Sequence, residues 1–206
     1  MEPETETRII DGATELFYRY GLRSITMDDV ARHLAMSKKT LYQYFKDKND
    51  MVMKCCHHDL VTRECTFSKI ASEASDAIGE LIQLMKHMES MFTRMNPNLV
   101  YDMQKYHPDV WKLFREFKEQ NVMAMIEANL KKGIEQGLYR KDINIPVVAR
   151  LRLEELEMGM NPAVFPPGKF HFGSVQIALF DHFMHGITTL KGHRLINKYK
   201  QIIEEE

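Results

Sequence analysis

The stretch Thr26–Phe45, TMDDVARHLAMSKKTLYQYF, constrains this chain more than any other, because it holds two helix starts, a tight turn and a run of exposed donors. Thr26 is placed to cap a first helix, with Asp28 and Asp29 in the turn where the helix dipole favours acids and Ile25 set to staple against Val30. Met27, Val30, Ala31 and Leu34 recur at helical spacing, so that helix buries one side. A turn follows. Ser37 is placed to cap a second helix in which only Leu41 and Phe45 call for burial. Its remaining residues, Lys38, Lys39, Thr40, Tyr42, Gln43 and Tyr44, offer cations and hydroxyls suited to phosphate oxygens and an amide suited to a base edge. The pattern predicts a helix-turn-helix with duplex DNA as its partner; an ordinary helical hairpin is the competing possibility.

Charge favours the first of these. Arg32, Lys38, Lys39, Lys46 and Lys48 fall within a segment whose one acid is Asp47, whereas the whole 206-residue chain has a net charge of -1. A protein that sticks to any polyanion is therefore excluded, and DNA affinity must come from a local patch that a dimer would double.

Around the same stretch, Ala13, Leu16 and Phe17 stand in an opening helix with Gly21 after it. Thr26, Val30-Ala31, Ser37, Thr40-Leu41-Tyr42, Phe45 and Lys48 follow without a gap. From Arg8 to about Met53 this string resembles the DNA-binding domain of the TetR family of bacterial one-component regulators. Two positions depart from the family pattern: Ala35 stands at the turn where glycine is usual, and Tyr44 stands where a histidine usually precedes the phenylalanine. A left-handed Ala35 costs about 1 kcal/mol relative to glycine, and Tyr44 keeps a polar tip able to donate to phosphate.

The resemblance implies an all-α protein: a three-helix DNA-binding domain over residues 1–47, then a helical effector-binding and dimerisation domain over 48–206. It implies a ligand-responsive repressor that binds a palindromic operator as a homodimer. DNA contacts are expected from Thr26, Ser37, Lys38, Lys39, Thr40, Tyr42, Gln43, Tyr44 and Lys48. The dimer interface is expected on helices near 145–160 and 174–190, through Leu153, Leu156, Phe180, Phe183 and Ile187.

Elsewhere the apolar period is helical throughout, with no strand-like alternation. A frayed tail over residues 1–6 is expected before a helix from Thr7 to Tyr20, and Asp47 is placed to cap a long linking helix from Lys48. A Met-rich helix over 77–95 is broken by Asn96-Pro97. A short helix then leads to a long one that starts at Pro108 and is closed by Gly137. Two more helices flank a proline-rich loop over 161–172, and a partly exposed final helix is expected within 194–206. Met88, Phe92 and Met95, with Tyr101, Trp111, Phe114 and Phe117, combine pliable thioethers with ring faces, which suits a small apolar or amphipathic effector. An ordinary Met-rich core is the alternative.

The chain lacks a nucleophile elbow, a Walker loop and a dinucleotide fingerprint, so no enzyme and no cofactor are expected. Cys55, Cys56 and Cys65 share one predicted helix and cannot form a disulfide framework, which fits a reducing compartment. The acidic N-terminus has no signal-peptide pattern, and no run of about 18 apolar residues is present, so a cytoplasmic protein without a membrane partner is expected. Cysteine and histidine cluster at Cys55, Cys56, His57 and His58, and His182 with His185 is an i, i+3 pair, yet neither set supplies four convergent ligands. No metal is expected; a helical metal sensor or metal-dependent enzyme built on His57, His58, His182 and His185 is the alternative function.

Overall fold

The computed structural model describes residues 3–96 and 98–201. Among them the secondary structure is helical: α1 (Pro3–Tyr20), α2 (Met27–His33), α3 (Lys38–Tyr44), α4 (Lys48–Glu73), α5 (Ala77–Arg94), α6 (Leu99–Tyr106), α7 (Pro108–Phe117), a π-helical turn (Lys118–Val122), α8 (Met123–Glu135), α9 (Ile145–Met158), α10 (Phe172–Ile187) and α11 (Leu190–Lys200). The first helix starts at Pro3, so the segment expected to fray already carries helix; Met1, Glu2, Pro97 and 202–206 of the expected tail lie outside the described residues. Where one unbroken helix was expected after Pro108, the π turn divides it into α7 and α8. No described helix is long and apolar enough to cross a membrane.

Two compact units account for the chain. Among the described residues, one comprises those up to Glu64 with Arg94–Phe117; the other comprises Cys65–Thr93 and those from Lys118 to Gln201. In the first, Ile9, Ala13 and Phe17 of α1 form one core with Val30 and Ala31 of α2, Leu41 and Phe45, and Met51, Val52 and Cys55 of α4. Met103 of α6 and Val110 of α7 close the same core. Buried polar contacts fix the helices further: the Tyr18 hydroxyl donates to Asp59 (3.1 Å), and Arg63 donates to both. Burial pushes the Tyr18 phenol up to about 12, with Arg63 opposing.

In the second unit, Ile78, Leu81 and Ile82 pack with Leu130, Ala149, Leu153, Met184 and Ile196. Tyr139 is fully buried, its hydroxyl 2.8 Å from Asn129 Oδ1 and 3.1 Å from the Ala77 carbonyl. Its ring occupies the space that Gly133 leaves open, since a Cβ at that position would fall 2.0 Å from it. Arg152 is buried with its partner Glu155 (3.2 Å) and lies over the rings of Phe180 and Phe183, 4.8 and 5.4 Å from their centroids.

These positions bear on the expected dimer interface. Leu153, Phe180, Phe183 and Ile187 are all buried inside the single chain, and Leu156 packs partly buried against the same core. The two phenyl rings pack beneath the chain's own Arg152.

Candidate nucleic-acid interface

The α2–turn–α3 unit is built by short-range hydrogen bonds. Thr26 Oγ1 accepts from the Asp29 N–H (3.2 Å) while the Asp29 carboxylate accepts from the Thr26 N–H (3.0 Å), a reciprocal capping box. Those bonds, first from the Thr26 side chain and then from its backbone, hold the Asp29 carboxyl below its ordinary range. At the other end of α2, the Met36 N–H donates to the Ala31 carbonyl (2.9 Å) and the Ala35 N–H to the Arg32 carbonyl (3.2 Å), with Ala35 at φ +53°. That is a Schellman closure with alanine in the left-handed position. Ser37 Oγ then accepts from the Thr40 N–H (3.0 Å) and lies 2.8 Å from the Thr40 hydroxyl, which starts α3.

Side chains from neighbouring helices hold α3 in place. Leu41 and Phe45 are almost wholly buried in the core. Lys54 of α4 donates to the Tyr44 carbonyl (3.0 Å), pairs with Glu6 of α1 (2.8 Å) and lies 4.9 Å from the Phe45 ring centroid. The Asp47 carboxylate caps α4 by accepting from the Asp50 N–H (2.9 Å), and Asp50 in turn accepts from the Lys46 N–H (2.9 Å). With its inward face fixed, α3 presents Lys39, Tyr42 and Gln43 to the outside, at i, i+3 and i+4 on one side. The exposed Lys46 stands at the following corner; it counted toward the basic patch in the sequence but was not among the expected contacts.

The remaining expected contacts are engaged within the fold. The hydroxyls of Thr26, Ser37 and Thr40 serve as caps or bond one another. Lys38 pairs with Asp28 (2.6 Å), whose hydrogen bond raises its pKa, so the first turns of α2 and α3 lie side by side. Tyr44 is half-buried. The Lys48 ammonium turns inward and donates to the Leu22 carbonyl, and burial lowers its pKa against the pull of Asp102 and Asp29. In this structure Lys48 ties α4 to the α1–α2 turn.

The other expected sets fall as follows. Of the seven effector-site residues, Met88 and Phe92 belong to the second unit, where Phe92 meets Phe172 edge to face (5.0 Å). Met95, Tyr101, Trp111, Phe114 and Phe117 belong to the first, where Trp111 and Phe114 stack (5.4 Å) against its core and Tyr101 is exposed. Among the described residues, no group of three or more His, Cys, Asp or Glu side chains is placed to hold a metal ion. His58 faces Asp11 (3.5 Å), whereas His185 meets His193 (3.1 Å) and Asp181 (3.6 Å). Burial raises the thiols of Cys55 and Cys56 to about 11 and about 12, which keeps both protonated and poorly nucleophilic.

Residues 9–55, the segment whose geometry has just been described, match the family model of the bacterial regulatory proteins of the tetR family. Over those residues the chain carries a TetR-family DNA-binding segment. The chain is 24% identical over 184 residues to YvaF of Bacillus subtilis, an HTH-type transcriptional regulator, covering 89% of this chain and 95% of that one. Two solved structures share its fold at 17% identity, each covered over 100% of its length and matching 91% of this chain. A TetR-family regulator from Agrobacterium tumefaciens has a TM-score of 0.73, and a transcriptional regulator from Saccharomonospora viridis, crystallised with choline, has 0.71. The chain is thus a DNA-binding transcriptional regulator, with an N-terminal helix-turn-helix and a helical remainder.

Proposed function

We propose that this chain is a ligand-responsive repressor of the TetR family that grips both halves of a palindromic operator as a homodimer, with α3 reading bases. The observation that carries the proposal is the outward face of α3, where Lys39, Tyr42 and Gln43 stand exposed on a short helix whose start, end and inner face are all fixed. A helix of that length makes too few contacts to bind alone at physiological salt, which is the argument for two heads.

For the dimer contact, support comes from α9. Val147, Leu151 and Met158 are 60%, 56% and 39% exposed and fall on one face of that helix. On α10, the exposed Ser174, Ala178 and His182 form a neighbouring stripe narrow enough for close approach of a symmetry mate. This face replaces the buried residues first expected there, and a second copy of the chain is its occupant.

The effector is a small amphipathic molecule, seated in the second unit near Met88, Phe92, Phe172 and Gln176. Gln176 is fully buried; its amide N–H donates to the Leu156 carbonyl (3.2 Å), while its Oε1 finds no partner among the described residues. A buried acceptor left in that state calls for a donor. The π turn of the same unit is a local irregularity of a kind that concentrates at functional sites. Titrating the full chain with choline and with medium-chain fatty alcohols, in the presence and absence of bound operator, tests this. An inducer must bind the operator complex more weakly by the factor by which it weakens operator binding. A complete switch needs about 5.5 kcal/mol of difference between the two states. Equal affinities for free and DNA-bound protein rule a compound out.

A further inference from the structure

One exposed cluster in the first unit plays no part in the interface described above. The α1–α2 turn and α6, distant in sequence, are locked together by backbone contacts. The Asn96 N–H donates to the Tyr18 carbonyl (2.7 Å), and the Arg23 N–H donates to the carboxylate of Asp102 (3.0 Å), which is buried. Gly21, at φ +83°, lets the turn pass close to that carboxylate, since a Cβ there would lie 3.2 Å from it. On this scaffold three tyrosines and three cations come out to solvent. Tyr20, Tyr101 and Tyr106 are 45%, 43% and 40% exposed. Arg19 lies 5.3 Å from the Tyr20 ring centroid and Arg23 lies 5.6 Å from that of Tyr106. Lys105 lies 5.3 and 5.5 Å from the centroids of Tyr101 and Tyr106, and donates to the Tyr101 hydroxyl (3.0 Å).

We propose that the patch formed by Arg19, Tyr20, Arg23, Tyr101, Lys105 and Tyr106 is a second DNA-backbone contact, holding phosphates that flank the half-site beneath α3. The inference rests on the assignment of α3 as the base-reading helix.

Two features commit the patch to a polyanion. The first is charge. Among the described residues none of its three cations is paired with a carboxylate, although Lys38, Lys54 and Arg63 of the same unit all are. Its one acid, Asp102, is buried and spent on a backbone N–H, so the outer surface is cationic without compensation. The second is continuity. Arg23 precedes Thr26 by three residues, and the helix that Thr26 starts is joined through Asp28 to Lys38 on α3 at 2.6 Å. The patch therefore begins at the edge of the face that meets DNA.

The chemistry is that of backbone grip rather than base reading. Guanidinium and ammonium groups steadied on ring faces, with phenol hydroxyls beside them, match phosphate oxygens and carry no sequence code. Such a grip lengthens the footprint and adds to the salt dependence without altering base preference.

The test uses the full chain and duplexes recovered from a random pool, made in two lengths: one ending at the half-sites, one longer by about ten base pairs on each side, a helical turn. The wild type is expected to bind the longer duplex more tightly, and Arg23→Gln/Lys105→Gln is expected to bind both lengths alike. Each phosphate that the protein ceases to neutralise lowers the slope of log affinity against log salt by about 0.9. Releasing one phosphate per head of a dimer lowers it by about 1.8, and a fourfold rise in salt then weakens the variant about 12-fold less than the wild type. If the double variant fails to fold, Lys105→Gln alone reads the same slope from an exposed side chain.

A variant with an unchanged slope and an intact preference for the longer duplex overturns the proposal. So does a changed oligomeric state in light scattering with the slope retained, which would make the patch a protein contact. Failure of the wild type to enrich any duplex would remove the α3 assignment itself, and with it this one. If Gln43→Ala loses base preference while the patch variant leaves the slope intact, the α3 assignment stands and the patch proposal alone falls.

Discussion

Ala35→Gly is expected to stabilise the protein, and the size of the gain follows from the closure of α2. The Met36 and Ala35 N–H groups satisfy the carbonyls of Ala31 and Arg32, and that geometry forces Ala35 to φ +53°. An L-residue pays about 1–2 kcal/mol in the left-handed region, which glycine enters freely. Glycine gives back about 0.4–1 kcal/mol through its wider unfolded ensemble. Ala35 is exposed, so no packing is sacrificed, and the net gain is about 0.5–1 kcal/mol. In a chain of this size that corresponds to a rise of about 1–4 °C in Tm. Urea unfolding should show a higher midpoint at an unchanged m-value, and Ala35→Val should show a lower one, because a β-branched residue fits the left-handed region worse. A midpoint for Ala35→Gly equal to or below that of the wild type would refute the strain, and would mean that the turn relaxes in solution to a conformation alanine prefers.

Leu151→Glu should leave the fold intact, since that side chain is 56% exposed, and should yield a folded monomer in light scattering; a persistent dimer would move the interface off α9. Gly133→Ala should destabilise by about 1–3 kcal/mol or more, because the added methyl meets the ring of fully buried Tyr139, and an unchanged Tm would mean that this packing is not maintained. Stability should fall as pH drops from about 7 to 5. Burial, aided by Lys48, lowers the pKa of His107, and burial, aided by Lys200 and His193 against Asp181, lowers that of His185. The unfolded chain therefore takes up protons first, so the stabilisation is complete above about pH 6.5 and is lost as pH falls towards the folded values. His107→Gln should flatten the slope of urea midpoint against pH; an identical slope would assign the dependence elsewhere.

The parts of this structure that were legible in the sequence are those decided within a few residues. Thr26, Ser37 and Asp47 cap the helices they precede, and Gly21 and Gly137 take positive φ where helices end, because capping depends on local donors and acceptors. What was not legible depends on which neighbour an apolar face meets. Leu153, Phe180 and Phe183 read as interface residues, but apolar side chains in a protomer core and at a dimer seam are chemically alike. A hint was present in Arg152 and Glu155, spaced three apart inside an apolar stripe, since such a pair needs partners within the fold. The unit each helix joins was not legible either: a helical period shows that Met88 and Trp111 lie on apolar faces, not that one helix packs in the second unit and the other in the first. Lys48 reads from sequence as a free cation beside a DNA-binding helix, and only the position of the Leu22 carbonyl reveals its tie. The π turn at Lys118–Val122 carries no composition that separates it from ordinary helix.

Whether α3 reads bases is tested most directly by selecting duplexes from a randomised pool with the wild-type chain and with Gln43→Ala. The wild type should enrich an inverted repeat with half-site centres about 34–36 Å apart or a multiple of that spacing. Gln43→Ala should relax one position in each half-site, at a cost of about 1–3 kcal/mol, and Lys39→Ala should weaken all sequences alike. No enriched sequence, or a Gln43→Ala profile identical to that of the wild type, would contradict it.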